Sequence, residues 1–157
     1  MNTRPFLFFL CIFLFPVTIH SEDVKSGIRE DHYSSGKIRS QWMYANNQLN
    51  GLSKTFYEDG NLLSQGFYVN DELDGLYKTF YENGNIFLER EYKNGQSDGF
   101  SKEYFENGQL KSSENYQNDV PHGLSQYYYA NGVLKFEVTF NHGQKDGVSK
   151  AYYPNGK

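Results

Sequence analysis

A chain of 157 residues with 15 Lys and Arg against 19 Asp and Glu carries a net charge of −4, so it is sized for one domain and lacks the basic surplus of a nucleic-acid footprint. Aromatic residues make up 18 % of it, with 14 Tyr and 13 Phe but one Trp, Trp42. The only cysteine is Cys11, which rules out an internal disulfide and leaves stability to the fold itself.

In chain order, residues 1–21 read as an export signal. Arg4 supplies a basic start, and Pro5 to Ile19 is an unbroken apolar run. That run is short for a bilayer span and suits a signal-peptide core. Cleavage after Ser21 would deliver the remainder to the periplasm, the cell envelope or the medium; retention would leave an N-terminal anchor. Residues 22–32 are polar and read as a linker. From Tyr33 to Lys157 the chain repeats.

Gly36, Gly60, Gly84, Gly108, Gly132 and Gly156 are spaced by 24 residues, and so are Gly51, Gly75, Gly99, Gly123 and Gly147. Aromatic columns keep the same step: Tyr33, Tyr57, Tyr81, Phe105, Tyr129 and Tyr153; Phe56, Phe80, Tyr104, Tyr128 and Tyr152; Tyr44, Tyr68, Tyr92, Tyr116 and Phe140. Leu52, Leu76, Phe100, Leu124 and Val148 form an apolar column. Such a period marks a repeat architecture of five units and a C-terminal stub over 33–157.

Within a unit, "GLYKTFY" (Gly75–Tyr81) and "IFLEREY" (Ile86–Tyr92) are strand-length runs rich in β-prone residues. Asn83-Gly84 between them predicts a two-residue type I′ hairpin, and "KNGQSDG" a wider turn. The expected fold is all-β: a single-layer antiparallel β-meander built from tandem 24-residue β-hairpin repeats. The tight turn would set Tyr81 opposite Ile86 and Phe80 opposite Phe87. A four-residue loop in the wider turn would set Tyr92 against Gly99, its ring covering bare backbone. Alternation places Tyr81, Ile86 and Tyr92 on one face and Leu76, Lys78 and Phe80 on the other.

The stretch "DGLYKTFYENGNIFLEREYKNGQSDG" resembles the MORN-type repeat (membrane occupation and recognition nexus), in its bacterial variant, and the resemblance runs from Tyr33 to Lys157. Bacterial proteins made only of such repeats are grouped as YwqK-like antitoxins. The resemblance implies a non-enzymatic protein binder that neutralises a toxin partner.

The residues themselves offer little chemistry. No nucleophile elbow, Walker loop or dinucleotide fingerprint occurs. His122 and His142 fall in wide turns of adjacent units, with no cysteine or paired carboxylate repeating beside them, so neither metal nor cofactor is expected. Lys54, Lys78, Lys102 and Lys150 form a column with Gln126, which reads as a solvated face. The expected activity is therefore binding rather than catalysis. Tyr offers large contact area at low entropy cost. The candidate binding face is Tyr57, Tyr81, Phe105 and Tyr129 together with Tyr68, Tyr92 and Tyr116. The expected partner is another protein, the alternative being a cell-wall glycan. Nucleic acid is not expected, nor membrane contact beyond the leader, for want of basic charge.

Overall fold

The computed structural model describes residues 26–156, so the export signal expected at 1–21 lies outside the described residues. In chain order the strands are β1 (Ser26–His32), β2 (Ile38–Ala45), β3 (Gln48–Leu49), β4 (Gly51–Phe56), β5 (Leu62–Val69), β6 (Glu72–Leu73), β7 (Gly75–Phe80) and β8 (Ile86–Lys93). They continue as β9 (Gln96–Tyr104), β10 (Leu110–Gln117), β11 (Val120–Pro121), β12 (Gly123–Tyr128), β13 (Leu134–Asn141), β14 (Gln144–Lys145) and β15 (Lys150–Ala151). All belong to one open antiparallel sheet in which the long strands β1, β2, β4, β5, β7, β8, β9, β10, β12 and β13 pair in chain order, as a meander requires, while the two-residue strands β3, β6, β11, β14 and β15 attach to β2, β5, β10 and β13. Residues 26–32, expected in the polar linker, instead form β1. Gly27 pairs with Tyr44 as Gly51 pairs with Tyr68, so that glycine column starts one step earlier than the reading placed it.

The two turns exchange their expected roles. At Asn83-Gly84 the loop is three residues long: the Tyr81 N–H donates to the Asn85 carbonyl (2.8 Å) and the Gly84 N–H to the Tyr81 carbonyl (2.9 Å). Only Gly84 has positive φ, +85°, which makes this a type I turn closed by a glycine bulge rather than type I′. The cause is the Asn83 side chain, whose Oδ1 accepts the Asn85 N–H at 2.9 Å and holds the turn. Asp59, Asn107 and Asn131 do the same in their units. Phe80 consequently pairs with Ile86, not Phe87. A bulge then restores the expected register, giving Thr79↔Leu88 and Gly75↔Tyr92.

The type I′ turns sit in the wider connection, at Asn46-Asn47, Asn70-Asp71, Asn94-Gly95, Asn118-Asp119 and His142-Gly143, where both central residues have positive φ. The loop is two residues rather than four, with Lys93 opposite Gln96. Tyr92 therefore faces Gly75 and Ser97, and the expected Tyr92–Gly99 pair does not form; Gly99 faces Tyr116. Gly99 answers a different need. Its φ is +122°, and a Cβ there would come within 2.9 Å of the Glu91 Cβ.

These I′ turns also lock units together. Asp71, Gly95, Asp119 and Gly143 each donate their N–H to the carbonyl of Leu49, Leu73, Ser97 or Pro121 in the preceding unit. Asp71 and Asp119 answer with Oδ1, accepting from Leu49 N (2.8 Å) and Ser97 N (2.7 Å). Pro121 has no N–H to offer, and the residue facing it is Gly143, which has no side-chain acceptor.

The core of this single layer is unusual in chemistry. Its most buried side chains are Ser40, Ser53, Ser97, Ser101, Ser112 and Ser125, with Val138 the buried apolar residue. Small side chains are covered by large ones from the next strand. Arg90 pairs with Ser101 and donates to its Oγ at 3.0 Å. The Gln41↔Lys54 and Ser113↔Gln126 registers likewise set Trp42 beside Ser53 and Glu114 beside Ser125. At Gly66 the order is reversed. The Tyr77 and Leu73 side chains lie where its Cβ would be, at 2.8 and 2.7 Å. A sheet without a second layer buries its backbone under its own side chains, and across these junctions a large residue on one strand lies over a small one on the next.

Candidate functional site

The sheet has a serine side and a lysine side. The expected aromatic face divides between the two ends of the strands. At the Asn-Gly end, Tyr33, Tyr57, Tyr81 and Tyr129 donate their hydroxyls to the carbonyls of Phe56, Phe80, Tyr104 and Tyr152 in the next unit, at 2.6, 2.7, 2.9 and 2.9 Å. Desolvation, then the Glu82 and Asp59 carboxylates, raise the Tyr57 pKa. Phe105 stands in the same column without a hydroxyl. Tyr81 packs edge-on against Phe87, 5.2 Å between centroids.

At the other end, Tyr68, Tyr92 and Tyr116 are half-buried on the serine side. Trp42 meets Tyr68 at 6.5 Å, Tyr77 meets Tyr92 at 6.1 Å, and the Arg90 guanidinium lies 5.2 Å from the Tyr116 centroid. The Tyr116 hydroxyl donates to Glu114 Oε2 at 2.5 Å. Burial, followed by that carboxylate, pushes the Tyr116 pKa up to about 12, and the same two causes raise Tyr127. The seven aromatic candidates are thus all placed, in two separate columns, and three of their hydroxyls are engaged with the backbone.

The lysine side holds Leu76, Lys78 and Phe80 together, as alternation indicates. Lys78 pairs with Glu89 at 2.7 Å, and Glu89 also accepts the Tyr104 hydroxyl at 3.0 Å. The Lys78 hydrogen bond holds the Glu89 pKa below its usual value. Lys150 pairs with Glu137 at 3.1 Å, and Lys102 lies over the Phe100 ring at 5.1 Å.

Beside this charged row runs an apolar one. Ile28 pairs with Met43, and Leu52 with Phe67. The Gln41↔Lys54 and Gln65↔Lys78 registers carry the row on from Met43 to Leu52 and from Phe67 to Leu76. Ile28, Leu52, Phe67 and Leu76 are exposed, by 55, 45, 46 and 38 %. Glu91, opposite Leu76, ends the row. A hollow of about 190 Å³ opens between Ile28, Gln41, Met43, Leu52 and Lys54. The Leu52 and Leu76 column was visible in sequence. Phe67 and Met43 join it only through register.

Fold and surface together define a tandem β-hairpin repeat protein with a self-covered serine side and a partly apolar lysine side. The chain belongs to the MORN repeat variant family: the family's profile matches residues 49–70, 73–94, 98–118, 121–142 and 145–157. Repeats of this kind are generally protein- or membrane-binding modules. No curated protein matches the chain.

Proposed function

We propose that the chain is an exported, non-enzymatic repeat module that binds a protein partner on the lysine side of its sheet. The observation that carries this reading is the apolar row Ile28–Met43–Leu52–Phe67–Leu76, exposed at every position but the half-buried Met43. It crosses five adjacent strands, roughly 19 Å at the usual strand spacing. A row of this kind gains by losing water to a partner. Lys54, in the adjoining row, has no ion pair among the described residues and favours an acidic group beside the apolar contact. Export rests on the apolar run before Ser21. An antitoxin- or immunity-like role fits a surface that can mask another protein without chemistry of its own.

The row favours a protein over a glycan, because its side chains are aliphatic or Phe. The Tyr hydroxyls that a sugar would use at the Asn-Gly end already bind carbonyls.

The test is capture from an envelope extract, with Leu52→Asp and Phe67→Asp as exposed-site variants and circular dichroism to check the fold. A protein retained by the wild type, lost from both variants and kept by Tyr92→Phe supports the reading. Retention on peptidoglycan, or capture indifferent to Leu52 and Phe67, overturns it.

A further inference from the structure

His122 and His142 depart from the repeat at two positions that touch. At the place of His142 the other units carry Asn46, Asn70, Asn94 and Asn118; at the place of His122 they carry Asn50, Asp74, Asp98 and Asp146. Two units before, the corresponding pair makes a single contact, Asn94 N–H to Asp74 Oδ2 at 3.3 Å. Here the two imidazoles come together instead, 5.4 Å between centroids at an interplanar angle of 68°. The type I′ turn does not need them, since Asn and Asp build the same turn in the other units.

The chemistry of the pair is specific. His142 Nδ1 lies 2.6 Å from Asn141 Oδ1. An amide oxygen only accepts, so Nδ1 carries the proton and Nε2 presents its lone pair. A carbonyl fixing one ring nitrogen so that the other can ligate is the usual outer-shell arrangement of a metal-binding histidine. Asn141 is itself a departure, standing where other units have Ala45, Val69, Lys93 and Gln117. A cleft of about 310 Å³ lies against both rings, and Gln117, Asn118 and Val120 complete its lining. The Gln117 and Asn118 amides offer oxygen donors there. His122 and His142 are both exposed, so small rotations can bring their free nitrogens to the separation of about 3.3 Å that tetrahedral coordination by two imidazoles requires.

We propose that His122 and His142 form a two-imidazole site for a divalent transition cation of the Zn²⁺, Cu²⁺ or Ni²⁺ class, bridging two adjacent repeats. Imidazole suits these ions, and amide oxygens and water complete the shell. Among the described residues no group of three or more His, Cys, Asp and Glu gathers in ligating geometry. The site is accordingly an open, exchangeable one rather than a closed structural centre.

The test is titration of the purified chain with ZnCl₂, followed by calorimetry and by the imidazole ¹⁵N resonances. His122→Asn, His142→Asn and Asn141→Ala each install a residue that another unit carries at that position, which preserves the fold. His32→Asn, outside the cleft, is the control. One Zn²⁺ should bind saturably and shift His122 and His142 together. Both histidine variants and Asn141→Ala should weaken binding by at least about tenfold, and His32→Asn should leave it unchanged. Absence of saturable binding overturns the proposal. So does binding that survives His122→Asn or His142→Asn, or binding lost in His32→Asn.

Discussion

If the large-over-small pairs hold the sheet, then exchanging the members of one pair should cost far less than the two single changes summed. Gly66 and Tyr77 test this. A Cβ at Gly66 would lie 2.7 Å from Leu73 Cδ2 and 2.8 Å from Tyr77 Cδ2, well inside van der Waals contact. Gly66→Arg must displace the Tyr77 ring, at the cost of about 1–3 kcal/mol typical of overpacking. Tyr77→Ser removes a half-buried ring and its edge contact with Tyr92. Full burial of an aromatic would set that cost at about 3–5 kcal/mol, and half-burial brings it to roughly 2. The double variant reproduces the Arg90–Ser101 pair found two strands on, where arginine covers serine. The singles should therefore sum to about 4 kcal/mol while the double costs no more than about 2, a coupling within the range seen for residues in contact. Urea unfolding followed by Trp42 fluorescence reads this directly, since its ring packs 6.5 Å from that of Tyr68. With m of about 1–3 kcal/mol/M, each single should lower the midpoint by roughly 1 M. Costs that add to within about 0.5 kcal/mol would refute the pairing and leave the buried serines without this explanation.

Phe105→Tyr supplies the one hydroxyl missing from the ladder formed by Tyr57, Tyr81 and Tyr129 and should stabilise by about 0.5–1.5 kcal/mol, with Tyr81→Phe costing a similar amount; thermal unfolding compares the two. Gly95→Asn gives the Leu73 N–H the acceptor that Asp71 and Asp119 provide to Leu49 and Ser97, at a φ of +77° that Asn tolerates. It should raise the melting temperature, whereas Gly95→Ala, strained and without an acceptor, should lower it. Above pH 10 the fold should weaken. The Tyr116 pKa is raised from 10.0 to about 12 in the folded chain, so its contribution is complete below pH 10 and is lost as pH climbs through 12. Urea midpoints across that window should fall less steeply for Tyr116→Phe; an equal slope would remove Tyr116 as the cause.

The 24-residue step, the all-β class, the meander and the division into Leu76–Lys78–Phe80 and Tyr92 faces were all legible in the chain, because repetition and period-two alternation are local properties. Gly27 belongs to the same step but lies inside a polar stretch whose charges mark an edge strand rather than a linker. Turn type was not legible. "NG" occurs in both connections, and what separates them is whether the Asn side chain can bond two residues ahead, as Asn83 does to Asn85 and Asn94 does not. Register followed turn type, and with it the identity of every cross-strand neighbour. That is why the tyrosine columns, uniform in sequence, became backbone ties at one end of the strands and packed rings at the other. The composition of the repeat determined which residues recur. Only pairing across strands decided that serines would be buried, that Met43 and Phe67 would join Leu52 and Leu76 on an exposed row, and that two histidines 20 residues apart would meet. Those contacts depend on which residues the turns bring opposite one another, a relation that a one-residue change of loop length rewrites.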